Sequence, residues 1–248
     1  MNFEITRGYP MAYTSREVEW LRTNRGQDAV LAAGWLSGRA GARGAITVVT
    51  PRAWSIAELE FEHPALGRLV RSGASLTNAR GLGSVSGRWV LLAWPTRDAM
   101  HRVLDGKPAG LAVLSWSTRD IEPWVRGCRP ERLGPVWTEL DDSVPQLHPV
   151  VAQAMDSLTS VVNASNGMTG YNRDYTVDAL RKLRKAGYEL SGRDLEADAL
   201  GRGWYAVMAH ELGEITDRIA AGGRLQVKRD RFRDDIVKVW EQASVATT

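Results

Sequence analysis

The side chains best suited to chemistry gather in a few places. His210-Glu211-Leu212-Gly213-Glu214 sets His210 and Glu214 four residues apart, on one face of a helix, with Asp217 a turn beyond. A zinc-protease helix needs a second histidine where Glu214 stands and a further ligand besides, and only His63, His101 and His148 remain. The stretch therefore reads as the polar stripe opposite an apolar Met208-Leu212-Ile215-Ile219 face. Neither a metal nor a cofactor is expected. Cys128 stands alone, which excludes an intramolecular disulfide and a cysteine-based zinc cluster.

Two other groups are candidates for anions. Trp94-Pro95-Thr96-Arg97-Asp98 and Trp116-Ser117-Thr118-Arg119-Asp120 are nearly the same words, each after an apolar run. With Thr50-Pro51-Arg52 they would bring Thr50, Arg52, Thr96, Arg97, Thr118 and Arg119 to one rim, where helix N-termini and guanidinium groups can meet a phosphate. The plainer reading is a set of capped strand-to-helix turns. Two basic runs could contact nucleic acid: Arg181, Lys182, Arg184 and Lys185, then Lys228, Arg229, Arg231 and Arg233. Such runs are more often solvated helix faces, and Asp230 interrupts the second. The glycine-rich stretches 38–44 and 81–87 precede strands, whereas a dinucleotide or P-loop fingerprint follows one. No Gly-x-Ser-x-Gly elbow and no Gly-Lys-Ser/Thr occurs.

These residues must be held by elements the pattern predicts. Ala45–Thr50, Trp89–Trp94 and Leu111–Trp116 are short apolar runs of the kind buried on both faces of a parallel sheet. Helices are expected over about Ser15–Ser37 and over Ser55–Ser72, the latter breaking at His63-Pro64. Thr96 and Thr118 are expected helix caps, with Asp98 and Asp120 in the first turn. A 22-residue offset between the repeated words suits one strand, one short helix and a return. Residues 1–140 thus read as a small Rossmann-like α/β domain with three or four parallel strands. Eight of the ten tryptophans lie at or before Trp137.

After the polar joint 141–146 the chain turns helical, and residues 148–248 read as a second domain. Helices are expected over Pro149–Val162, Asp174–Ala186, Ser191 to about Arg202, Trp204–Ala221 and Arg229–Gln242. Gly187 closes the second in a left-handed conformation, and Ser191 with Asp194 caps the third. The last should carry Phe232, Ile236, Val239 and Trp240 on one face. The middle three have a helix-turn-helix outline. In a DNA reader the third would enter the major groove, yet here it carries His210, Glu211, Glu214 and Asp217.

Composition restrains the options further. The 248 residues carry 32 basic and 29 acidic side chains, a net charge of +3. Counted before and after Leu147, the split is 18 basic against 15 acidic and then 14 against 14, so neither half is a basic body of the sort that grips phosphates. Arginine outnumbers lysine 27 to 5, a bias that a GC-rich genome produces by itself. No apolar run approaches the roughly 20 residues of a membrane span. Met1–Ile5 has no signal-peptide character, so the cytoplasm is the expected compartment.

Two word-strings carry a resemblance. Trp89–Thr96 with its partner run and Trp124, and Gly187-Tyr188 followed by Gly203-Trp204, Ala209 and Leu212 in a Gly-Trp-x-x-x-x-Ala-x-x-Leu string, resemble a family of uncharacterised actinobacterial proteins. The resemblance covers the chain after about Asp28. It implies an actinobacterial or actinophage origin and supplies no activity. With no convergent acid, base and nucleophile, the leading expectation is a non-enzymatic interaction or regulatory protein whose partner is another protein. Two alternatives stay open: a nucleic-acid-associated factor using the basic runs, and a nucleotide sensor or enzyme using the strand-end rim.

Overall fold

The computed structural model describes residues 8–15, 26–41, 45–115, 118–134, 143–163 and 167–246. The chain divides into two compact units. One takes in Arg7–Val125 and Arg129–Asp142, the other Ser143–Thr248 together with Arg126–Cys128.

The first unit is built on six strands, β1 (Met11–Ser15), β2 (Ile46–Thr50), β3 (Ser75–Asn78), β4 (Trp89–Ala93), β5 (Gly110–Ser115) and β6 (Glu131–Arg132). They form one parallel sheet in the order β3-β2-β4-β5-β1-β6. The expected three or four strands are thus too few. The apolar runs are β2, β4 and β5. The strands not foreseen, β1, β3 and β6, lack an unbroken apolar run: β1 is Met-Ala-Tyr-Thr-Ser, β3 is Ser-Leu-Thr-Asn and β6 is two charged residues. Ser15 ends β1 instead of opening a helix. The first described helix, α1 (Gln27–Ala40), starts after Gly26, which sits at φ 91°. The rest of that expected helix, 16–25, lies outside the described residues.

The connections explain the two-faced core. β2 leads through α2 (Ile56–Glu62) and α3 (Pro64–Arg71) one strand outward to β3, while β4 leads through α4 (Arg97–Asp105) the other way to β5. Right-handed crossovers running in opposite directions put their helices on opposite faces. On one face Val48, Leu91, Ala112 and Leu114 pack with Ala32 and Leu36 of α1, Leu59 of α2 and Leu66 of α3. The alternate residues Val49, Leu92 and Val113 point to the other face. There α4 and α5 (Thr118–Cys128) supply buried Met100, Val103, Ile121 and Trp124. The break at His63-Pro64 occurs as expected, and α2 opens with a full capping box. Ser55 N–H donates to Glu58 Oε2 at 2.8 Å, and Glu58 N–H donates to Ser55 Oγ at 3.2 Å.

The second unit holds α6 (Pro149–Val161), α7 (Gly170–Lys185), α8 (Gly192–Gly201), α9 (Ala206–Ala220) and α10 (Ile236–Val245). Its core is centred on α7, where buried Val177, Leu180 and Leu183 accompany packing against α6 and against α9, whose Met208, Leu212 and Ile219 are buried; α9 also packs on α8 and α10 on α6. Trp240 anchors α10, its indole N–H donating to Ser157 Oγ of α6 at 2.9 Å. Trp204 likewise donates to Thr159 Oγ1 at 3.0 Å, which spares both buried indoles an unmet donor. Gly187 takes φ 92° and closes α7, and Ser191 Oγ accepts the Asp194 N–H at the start of α8. One expectation fails outright: 228–235 is not helical, and the last helix begins at Ile236. The reason lies in the carboxylates of α7. No helix among the described residues is long and apolar enough to cross a membrane.

Candidate functional site

Parallel pairing of β2, β4 and β5 sets their carboxyl ends side by side at one end of the sheet, where Thr50 closes β2 and Thr96 follows β4. The local roles are mostly structural. Thr50 is buried, its hydroxyl 2.8 Å from the Arg52 carbonyl and 3.2 Å from that of Thr77. Arg52 is exposed and its guanidinium lies over the Trp54 ring at 3.8 Å. Thr96 caps α4, accepting the Ala99 N–H at 3.3 Å. Arg97 is half-buried, Thr118 opens α5 with its side chain outside the described residues, and Arg119 is exposed. His63, expected as a helix break and weighed as a spare metal ligand, has its ring 4.2 Å from that of Trp94 and 5.8 Å from that of Trp54, contacts the sequence did not suggest. Thr96→Ala should cost about 1 kcal/mol through the lost cap, read by chemical denaturation. An unchanged midpoint would mean that the α4 N-terminus is held by other contacts.

The larger feature lies in the helical unit. Asp174 and Asp178 are one turn apart on α7 and both are buried. Asp178 accepts from Lys182 Nζ at 2.8 Å, from the Arg231 N–H at 2.9 Å and from the Phe232 N–H at 2.7 Å. Asp174 pairs with Arg231 Nη2 at 2.9 Å and accepts the Lys228 N–H at 3.4 Å. The Arg231 guanidinium also lies over Tyr171 at 4.7 Å. Phe232 packs edge-on to both Tyr175 and Trp240, at 5.0 and 5.5 Å. These contacts strap 228–232 along α7 and take its backbone N–H groups out of any helix. Burial alone would raise the Asp174 carboxyl, but Arg231 and the Lys228 N–H outweigh it and hold it below its ordinary value.

Beside the strap runs an open groove of about 1480 Å³. Asp178, Arg181, Lys182, Arg184 and Lys185 of α7 form one side. Arg224, Asp230, Asp234 and Asp235 of the strap segment, with Lys238 and Glu241 of α10, supply the other charges. The first basic run therefore enters the groove whole. The second does not: Lys228, Arg229, Arg231 and Arg233 are absent from its lining. Arg231 is spent on Asp174 and Arg233 pairs with Asp235, while Lys228 and Arg229 are exposed. Within the groove Lys182 is paired to Asp178, and Arg184 donates to the Ile219 carbonyl at the end of α9. Arg181, Lys185 and Arg224 are exposed and lie within ion-pair distance of no carboxylate among the described residues. Arg224, Lys238 and the far-side carboxylates were not foreseen. Gly222-Gly223 offered the one hint, a chain reversal after α9.

His210 of α9 meets Glu196 of α8, Nδ1 to Oε1 at 3.3 Å, and Glu214 at 3.7 Å. Glu196 is a partner the sequence did not suggest. Among the described residues no group of three or more His, Cys, Asp or Glu is placed to hold a metal. Cys128 is buried.

A family model described as a domain of unknown function, DUF1889, matches residues 147–241. The matched segment includes every residue that lines the groove. No curated protein and no solved structure matches the chain.

Proposed function

We propose that this is a non-enzymatic interaction protein whose helical unit receives a polypeptide segment of a partner protein in the groove beside α7. The observation that carries this reading is the charge of the groove. Its lining holds six cations (Arg181, Lys182, Arg184, Lys185, Arg224, Lys238) and five carboxylates (Asp178, Asp230, Asp234, Asp235, Glu241). A polyanion would gain from the α7 side and be repelled by Asp230, Asp234 and Asp235, so nucleic acid is poorly matched. A polypeptide can present acids to Arg181 and Lys185 and bases to the strap, and such complementarity fixes register and partner choice. A nucleotide at the strand-end rim has less behind it, since Thr50 and Thr96 spend their hydroxyls within the fold. An actinobacterial or actinophage origin is supported by the arginine-over-lysine bias of a GC-rich genome, and a cytoplasmic setting by the single cysteine, which suits a reducing compartment.

The test is a selection of random displayed peptides on the full chain, followed by affinities on Arg181→Glu/Lys185→Glu. Both side chains are exposed, so the double variant should fold. Selected peptides should carry acids and bases together and bind the variant at least about tenfold more weakly, a change of about 1.4 kcal/mol. Unchanged affinity would remove the groove from the interaction. Steeply salt-dependent binding of an oligonucleotide, weakened by the same variant, would replace this reading with the nucleic-acid one.

A further inference from the structure

We propose that the β3 edge of the sheet is a self-association surface, on which a second copy of this chain adds its own β3 antiparallel across a two-fold axis through Thr77. β3 ends the sheet on one side. The Ala79 N–H donates to the Thr50 carbonyl at 2.9 Å, and the Thr77 carbonyl lies 3.2 Å from Thr50 Oγ1. Residues 77 and 79 thus face β2, and by alternation Leu76 and Asn78 turn their N–H and C=O groups outward. Among the described residues, the one hydrogen-bond neighbour of these outward groups is the hydroxyl of Thr77, 3.4 Å from the Asn78 carbonyl.

That spacing is self-complementary. A two-fold at Thr77 sets Leu76 against the Asn78 of the second copy and Asn78 against its Leu76, each pair exchanging two N–H···O bonds. Thr77 then faces the Thr77 of the second copy, a favourable cross-strand pair. The strand Ser-Leu-Thr-Asn has no charge and no proline, the usual guards of an edge. The opposite edge, β6, is two residues long and both are charged.

The experiment measures the mass of the full chain by light scattering across the micromolar range. Wild type should rise from 27.4 kDa toward twice that mass with concentration. Thr77→Lys and Thr77→Glu set like charges face to face and should each stay monomeric, and mixing the two should restore the dimer. Leu76→Ala should keep more of the dimer than Leu76→Pro, which also deletes an outward N–H that an edge strand does not otherwise need. A wild type that stays at 27.4 kDa up to its solubility limit overturns the proposal, as does a Thr77→Lys chain that dimerises like wild type.

Discussion

Replacing Asp178 with alanine should destabilise the helical unit by about 3–5 kcal/mol, the cost of removing one partner from a buried charge pair. The side chain is 3% exposed and satisfies three donors at once: the Lys182 ammonium and the backbone N–H groups of Arg231 and Phe232. Without it Lys182 loses its counter-charge and two peptide N–H groups lose their acceptor. At roughly 2–4 °C per kcal/mol for a protein of this size, the unfolding midpoint should fall by about 6–20 °C. Amide exchange should accelerate first across 228–235. Asp174 gives the pH arm of the same prediction. Its carboxyl sits below the ordinary 3.8, so its contribution is complete above that pH and is lost as pH falls through the lower folded value. The wild-type strap should therefore hold at pH 5 and loosen only below about pH 4, whereas Asp178→Ala should show a loose strap at neutral pH. Slow exchange of 228–235 in the variant would mean that Phe232 and Arg231, through their ring contacts, hold the strap without the carboxylate.

The same two aspartates mark where sequence reasoning stops. Asp174 and Asp178 look like ordinary helix-surface residues, since one turn of α7 separates them and lysines and arginines follow. Their partners in the strap lie 53 to 57 positions away, and no local pattern encodes that distance. Propensity and spacing alone extended the final helix back to Arg229, and backbone capture by Asp178 overrode them. The central strands were legible because β2, β4 and β5 are apolar runs, as burial on both faces demands. Met-Ala-Tyr-Thr-Ser of β1 has no such run, although it fits beside β5 with Met11 opposite Leu111. For the groove, Arg181–Lys185 could be read directly as a basic run. Its other side could not, because Asp230, Asp234 and Glu241 face α7 only after the reversal at Gly222-Gly223 and the strap have been formed.

In the α/β unit the corresponding single point is Trp124. Truncation to alanine should cost about 3–5 kcal/mol, since a fully buried tryptophan loses both its transfer energy and the packing around the hole it leaves. The residue is 2% exposed, with its indole N–H 3.4 Å from Met11 Sδ and its ring edge-on to Tyr13 at 6.2 Å. Both contacts are to β1, the strand with the weakest sequence signal. Trp124 therefore packs from α5 onto the buried Met11 and Tyr13 of β1, which helps hold this short segment in its interior place between β5 and β6. Trp124→Phe separates the two parts of that role: it keeps most of the buried ring and drops only the weak N–H···S contact, so it should cost about a third as much. Exchange protection makes the assignment specific. Trp124→Ala should expose amides of β1 and β5 while leaving 228–235 protected, the reverse of the Asp178→Ala pattern. If β1 kept its protection in Trp124→Ala, pairing with β5 and β6 would be sufficient to hold it, and the tryptophan would serve α5 alone.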